Sequence, residues 1–157
     1  MTENGTFAPS DGKVGFDSVT VNVESGSDME KYFEAQHAEV VLPNATSIKA
    51  YAFHYDGTLV NIEMPKVTSI GNNAFYNCTK LALTPLPSGV TSIGHNAFYN
   101  CTKLALTSLP SGVTSIGSNA FYNCTNLALT SLPSGVTSIE PSAFYSCTNL
   151  ALTSLPS

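Results

Sequence analysis

Apolar residues fall at Leu86, Val90, Ile93, Ala97, Phe98, Cys101, Leu104 and Leu106, and the same spacing starts again at Leu109 and at Leu132. The gaps are uneven and are broken by Pro87, Ser88 and Gly89 and again by Gly94. They fit neither the alternation of one strand nor the period of about 3.6 residues of one long helix. The chain is therefore predicted to turn several corners per unit, with these side chains aimed at one axis. Leu86–Ser108, Leu109–Ser131 and Leu132–Ser154 are each 23 residues long, and the first two differ only at His95/Ser118 and Lys103/Asn126. Two upstream copies, Leu42–Glu63 and Met64–Pro85, are one residue shorter and more diverged. Repetition at a period of about 20 to 50 residues is the mark of a solenoid or array. A lone unit buries too little apolar area to offset the ordering of its own backbone, so units must stack and cover one another.

The consensus LPxxVTSIGxxAFxxCxxLxxxxLP resembles the BspA-like class of bacterial leucine-rich repeat, whose units run Leu-Pro, Val-x-x-Ile, Ala-Phe-x-x-Cys and Leu. The resemblance spans residues 42–157 as five copies (42–63, 64–85, 86–108, 109–131 and 132–154) and the start of a sixth. It implies a right-handed solenoid with short parallel strands on one face and turns or 3₁₀ pieces around Ala-Phe on the other. It also implies a surface-exposed protein that binds proteins or host surfaces and is not an enzyme. Two departures stand out. Asp56 replaces the cysteine in copy one, and later copies put Thr84, Thr107, Thr130 and Thr153 where copy one has Ile62, with a leucine one residue earlier.

Ahead of the array, residues 3–23 read as two short strands around a Gly-containing loop, a β-hairpin within a module of residues 1–26. Val19, Val21 and Val23 alternate with polar residues, as in a half-buried strand. This segment resembles a small module of bacteriophage structural and tail proteins, which implies attachment to an assembly partner through residues 1–26. Ser27-Asp28-Met29-Glu30 forms a capping box, predicting a short helix over about 28–37 that lids the first rung, with Val40 and Val41 leading in (residues 27–41). The chain ends at Leu155-Pro156-Ser157, so the last rung is expected to be bare, through truncation or through burial in a homo-oligomer.

Charge changes the picture only at the front. The net charge of −5 is concentrated in residues 1–41, with eight acidic residues and two lysines, against three and four in the array. Arginine is absent, so a phosphate-binding stripe is not available and nucleic acid is not an expected partner. Residues 1–13 lack the basic start and apolar run of a signal peptide. No stretch reaches the roughly 18 apolar residues of a membrane span.

Candidate chemistry falls into columns. Phe53, Phe75, Phe98, Phe121 and Phe144 are predicted to form an inner ladder, with Ile48, Ile70, Ile93, Ile116 and Ile139. Cys78, Cys101, Cys124 and Cys147, one per unit, read as a column of buried free thiols, since a line suits neither a tetrahedral metal site nor disulfide geometry. Tyr76, Tyr99, Tyr122 and Tyr145, with His54 in copy one, follow the inner Phe and should face at least partly outward. They make either a binding face for a glycan or protein or a stacked ladder that only stabilises its rungs. Thr-Ser pairs at 68–69, 91–92, 114–115 and 137–138 form a hydroxyl row, the pattern of an ice-binding face, but the family uses them structurally. His37, His54 and His95 recur beside no repeated Ser or acid, so no triad is proposed. Asp56, Glu63 and Glu140 are expected to be solvated. The sequons at Asn77, Asn100 and Asn123 flank the buried cysteine and read as incidental; Asn4 and Asn44 also match.

The sequence thus points to a non-enzymatic display and binding protein without cofactor or metal. It would be carried on a phage particle as a tail or head fibre or decoration, and contact a protein or glycan on a cell surface. A fragment of a bacterial cell-surface adhesin is the alternative, and an architectural spacer the second. The expected location is a virion surface or a bacterial cell surface.

Overall fold

The computed structural model describes residues 13–15 and 39–153, and these form stacked coils carrying two parallel sheets. The first sheet joins β1 (Lys13–Gly15), β2 (Glu39–Val41) and β4 (Asn61–Glu63) in that order, all parallel. The second joins β3 (Ser47–Ile48), β5 (Ser69–Ile70), β6 (Ser92–Ile93), β7 (Ser115–Ile116) and β8 (Ser138–Ile139). Each Ser-Ile pair lies opposite the Ser-Ile pair of the next coil, as Ser69↔Ser92 and Ile70↔Ile93. One observed strand of the N-terminal segment, β1, pairs in parallel with the lead-in strand β2. The rest of the expected hairpin and the capping helix over 28–37 lie outside the described residues. Among the described residues no helix is long and apolar enough to cross a membrane.

Strands are only two residues long because the unit must turn on either side of them. The Leu-Pro-Ser-Gly corner closes through the N–H of Val90 donating to the carbonyl of Pro87 at 3.1 Å, and Val113 and Val136 repeat it. Past the strand, the Ala-Phe segment is a run of turns, with the Tyr76 N–H donating to Asn73 at 3.2 Å and the Cys78 N–H to Phe75 at 3.2 Å.

Neighbouring coils are joined by backbone hydrogen bonds at the ends of the strands and along the turns. At the ends of the strands they point backward: Gly94 donates to Ile70 at 2.9 Å and Thr91 to Thr68 at 2.9 Å. On the turn side they point forward: Asn73 donates to His95, Phe75 to Ala97 and Asn77 to Tyr99, at 2.8, 2.8 and 2.7 Å.

The leucine register now has a physical reading. Leu83, Leu106 and Leu129 fill the core position that Ile62 fills in copy one, while Thr84, Thr107 and Thr130 face solvent. Moving the apolar residue one place along a strand reverses the side it faces. The strand of copy one therefore finds no partner strand in copy two: the first sheet stops at β4, and the link that follows is Ala82 donating to Val60 at 2.8 Å.

The core is one continuous stack. Phe75, Phe98 and Phe121 are fully buried beside Ala74, Ala97 and Ala120, and Ile48, Ile70, Ile93 and Ile116 line the strand side. Ile139 breaks this pattern: it was expected within the inner ladder, but in the last described coil it is 40% exposed, with Phe144 and Cys147 only partly covered.

Coils approach most closely at the Ile-Gly corner. A Cβ at Gly117 would stand 2.6 Å from the backbone nitrogen of His95, whereas at Gly112 the nearest atom would be a Thr91 methyl at 3.5 Å. Gly117→Ala is expected to cost roughly 1–3 kcal/mol because the coil must shift. Gly112→Ala should be neutral or gain up to about 1 kcal/mol by restricting the unfolded chain. Urea unfolding midpoints compare the two, and equal midpoints would remove close approach as the reason for the corner glycine.

Candidate functional site

The turn flank carries the side chains with most to offer. Asn73 and Asn77, Asn96 and Asn100, and Asn119 and Asn123 all adopt positive φ, between 52° and 62°. Asparagine tolerates this left-handed region better than most residues. Two such residues per turn reverse the chain around the buried Phe and leave the intervening Tyr outside. The amides then form a ladder of their own. Asn96 donates to Asn73 at 3.2 Å, Asn100 to Asn77 at 2.5 Å and Asn123 to Asn100 at 2.6 Å. The Asn-Ala-Phe-Tyr-Asn repetition was the available signal for this ladder, which the reading of spacing alone missed. The ladder also explains the repeated sequons: the amide nitrogens of Asn100 and Asn123 are already donating.

Tyr76, Tyr99, Tyr122 and Tyr145 stack face to face along the flank, with ring centroids 4.6, 4.7 and 4.9 Å apart. Inside them Phe53, Phe75, Phe98, Phe121 and Phe144 stack at 5.2 to 5.5 Å, within 7° of parallel. Since the tyrosine faces cover one another, the column offers its edges and hydroxyls. Burial lifts the Tyr76 phenol above its ordinary value, and the nearby Tyr55 and Tyr99 phenols add to the shift.

At the first coil the column gives way to a cluster. His54 meets Tyr51 and Tyr55 edge-on at 5.2 and 4.5 Å and lies tilted over Tyr76 at 5.1 Å. Tyr51 and Tyr55 occupy the two positive-φ positions of this turn, at 62° and 63°. For a bulky side chain that is an outlier worth on the order of 1–3 kcal/mol of strain. Neither tyrosine figured among the sequence candidates, because the spacing of the inner Phe does not mark the positive-φ positions on either side of it.

The four cysteines are free thiols, each one rung from the next. Cys78, Cys101, Cys124 and Cys147 point at the Phe carbonyl of the preceding coil, at 2.9 to 3.0 Å from Phe53, Phe75, Phe98 and Phe121. Burial raises all four pKa values. Cys78, Cys101 and Cys124 are held far above the ordinary thiol range, and the less covered Cys147 is pushed up to about 11. The three deeply buried thiols are thereby kept from acting as nucleophiles at neutral pH, and the partly covered Cys147 is a slow one.

Asp56, expected to be solvated, is instead buried in the thiol position of copy one. Its Oδ1 accepts from the Thr58 and Leu59 amides at 2.9 and 3.0 Å and from the Thr58 hydroxyl at 2.8 Å. The carboxylate satisfies its own turn, where the other copies use a thiol to reach the coil before.

Glu63 is exposed as expected, but Glu140 is not a lone carboxylate. It reaches His95 Nδ1 at 3.2 Å, across Ser118, whose hydroxyl lies 2.9 Å from the same nitrogen. Both partners sit on one ring nitrogen, so the imidazole cannot pass a proton from the serine to the carboxylate as a triad requires. These groups close one end of a shallow groove of about 420 Å³ over the second sheet, with Lys49 and Asn72 further along. The Thr hydroxyls of the adjacent row bond to the backbone of the coil before, with Thr91 and Thr114 donating to the carbonyls of Thr68 and Thr91 at 3.2 and 3.4 Å.

Residues 37–157 match the family model for the BspA type leucine rich repeat region, in six copies. Among solved structures, a leucine-rich-repeat protein of T. pallidum is 35% identical, with a TM-score of 0.66 over 71% of this chain and 56% of that one. A leucine rich cell surface protein of Faecalibacterium prausnitzii A2-165 is 32% identical, TM-score 0.67, over 90% and 35%. A leucine-rich-repeat protein of Bacteroides ovatus ATCC 8483 is 27% identical, TM-score 0.66, over 96% and 39%. The chain thus spans from about a third to just over half of the solved chains it resembles. No curated protein matches it.

The thiol column generates a pH dependence. Unfolded thiols ionise at about pH 8.5, while the folded ones keep their protons. Above that pH the unfolded state binds fewer protons, so stability, complete below it, falls as pH rises toward about 11 where folded Cys147 ionises. Melting temperatures measured between about pH 7 and pH 11 should fall across the alkaline half. A thiol-reactive dye at neutral pH should label Cys147 well before the other three, and uniform labelling would contradict the buried column.

Proposed function

The chain belongs to the BspA-type leucine-rich-repeat family, and from that premise we propose that it is a non-enzymatic binding protein of a bacterial cell surface. Its contact region is the turn flank that carries Tyr76, Tyr99, Tyr122 and Tyr145. One observation carries this reading: four tyrosines of successive coils hold a straight row at 4.6 to 4.9 Å spacing, on a backbone tied to its neighbours at every turn. Such a row presents hydroxyls and ring edges at fixed intervals, with little side-chain freedom left to lose on binding. That suits adhesion to a protein or glycan surface. The cell-surface protein of F. prausnitzii among the relatives supports the location. Carriage on a phage particle draws no support from these relatives, all of which are bacterial.

An architectural spacer is the second reading, favoured by the same stacking, because rings that cover one another stabilise neighbouring rungs without a ligand. Two measurements separate them. Antibody labelling of intact bacteria should detect the protein without lysis; labelling that appears only after lysis would overturn the surface assignment. Tyr99→Phe with Tyr122→Phe keeps the stack and removes two hydroxyls. Beads coated with this variant should attach at least about fivefold less to host-cell and bacterial surfaces that retain the parent protein. Equal attachment, with an unchanged melting temperature, would favour the spacer.

A further inference from the structure

The first coil departs from the array where the chain turns most sharply. Coils two to four put asparagine at both positive-φ positions, and coil five puts Ser142 and Ser146 there; the first coil puts Tyr51 and Tyr55. An asparagine at position 55 would relax the backbone and stand next in the amide ladder below Asn77. The first coil instead holds two aromatic rings in strained backbone, and they are 52% and 49% exposed. Strain kept against an easier alternative, on side chains turned to solvent, is a pointer to use.

The arrangement of these rings differs from the column in the respect that matters for a ligand. Between Tyr76, Tyr99, Tyr122 and Tyr145 the facing rings lie nearly parallel at 4.6 to 4.9 Å, so a flat ligand cannot enter between them. At the first coil His54 meets Tyr51 at 73° and Tyr55 at 89°, and Tyr55 meets Tyr76 at 54°. No parallel ring covers Tyr51 or Tyr55 among the described residues. The neighbouring carboxylate, Asp56, is turned inward and taken by its own turn, so this turn adds no charge to the patch. Half-exposed, unstacked rings with phenol hydroxyls and an imidazole beside them match a neutral pyranose, whose axial C–H face is apolar and whose edge carries hydroxyls.

We propose that Tyr51 and Tyr55, with His54 between them, form a stacking platform for a neutral hexopyranose unit of a glycan. The site deepens the surface-binding reading and rests on it: it names a glycan as one ligand of the flank and puts the sugar at the first coil instead of along the column.

The chain contains no tryptophan and seven tyrosines, so the part of a ligand-induced change in tyrosine emission that is lost in the Tyr51→Asn with Tyr55→Asn variant reports on these rings. The intact protein is titrated with methyl β-galactopyranoside, methyl β-glucopyranoside, lactose and cellotetraose, with saturation-transfer NMR on each. At least one sugar should receive saturation at its ring C–H protons. Tyr51→Asn with Tyr55→Asn should weaken that sugar by tenfold or more while melting at the same or a higher temperature, since asparagine suits both turns. Ser111→Ala, at an exposed Leu-Pro-Ser-Gly corner away from the turn flank, should leave the affinity unchanged. Absence of transfer to all four sugars, or an unaltered affinity in the double asparagine variant, would overturn the platform. Cell labelling and bead attachment read the surface assignment separately, so failure of the platform and failure of that assignment are told apart.

Discussion

Every coil gives its backbone hydrogen bonds away in two directions, and the rest of the structure depends on that. Amides at the strand ends donate to the coil before, as Gly94 does to Ile70, and amides on the turn side donate to the coil after, as Phe75 does to Ala97. A single unit therefore leaves polar groups unsatisfied on both flanks whichever face is exposed, and its order exists only within the stack.

Register follows from this constraint and produces columns. Once residue i sits over its equivalent in the next coil, like side chains meet: Phe over Phe at 5.2 to 5.5 Å, Asn amide on Asn amide, Tyr face on Tyr face, and each thiol under a carbonyl. The inner columns hold the coils together. The outer columns are a by-product of the same register, which is how a flank of regularly spaced hydroxyls and rings arises without any coil being specialised for it.

Specialisation lies where the repetition fails. Asp56 takes a thiol position and turns to its own amides, Glu140 takes a glycine position and reaches His95, and Tyr51 and Tyr55 take positions that suit asparagine. The last of these makes a surface that the consensus unit cannot make, because the consensus seals its aromatic faces against one another. A regular array supplies rigidity, and its atypical first coil supplies an open patch at one end of the same flank.

The sequence by itself determined the repeat length, the coils, the inner phenylalanines and thiols and the outward tyrosines. Near-identical units must be stacked by translation, so residues one period apart are neighbours and can be named before any coordinate is known. It misled on Asp56 and on the solitude of Glu140, and it passed over Tyr51, Tyr55 and the asparagine ladder. Those features depend on backbone twist at single residues and on which way a side chain turns. Asp56 is buried because Thr58 and Leu59 offer it amides within one turn, and His95 finds Glu140 two coils away because both lean over Ser118. Translation predicts contacts between equivalents, and only the folded chain decides contacts between residues that are not equivalent.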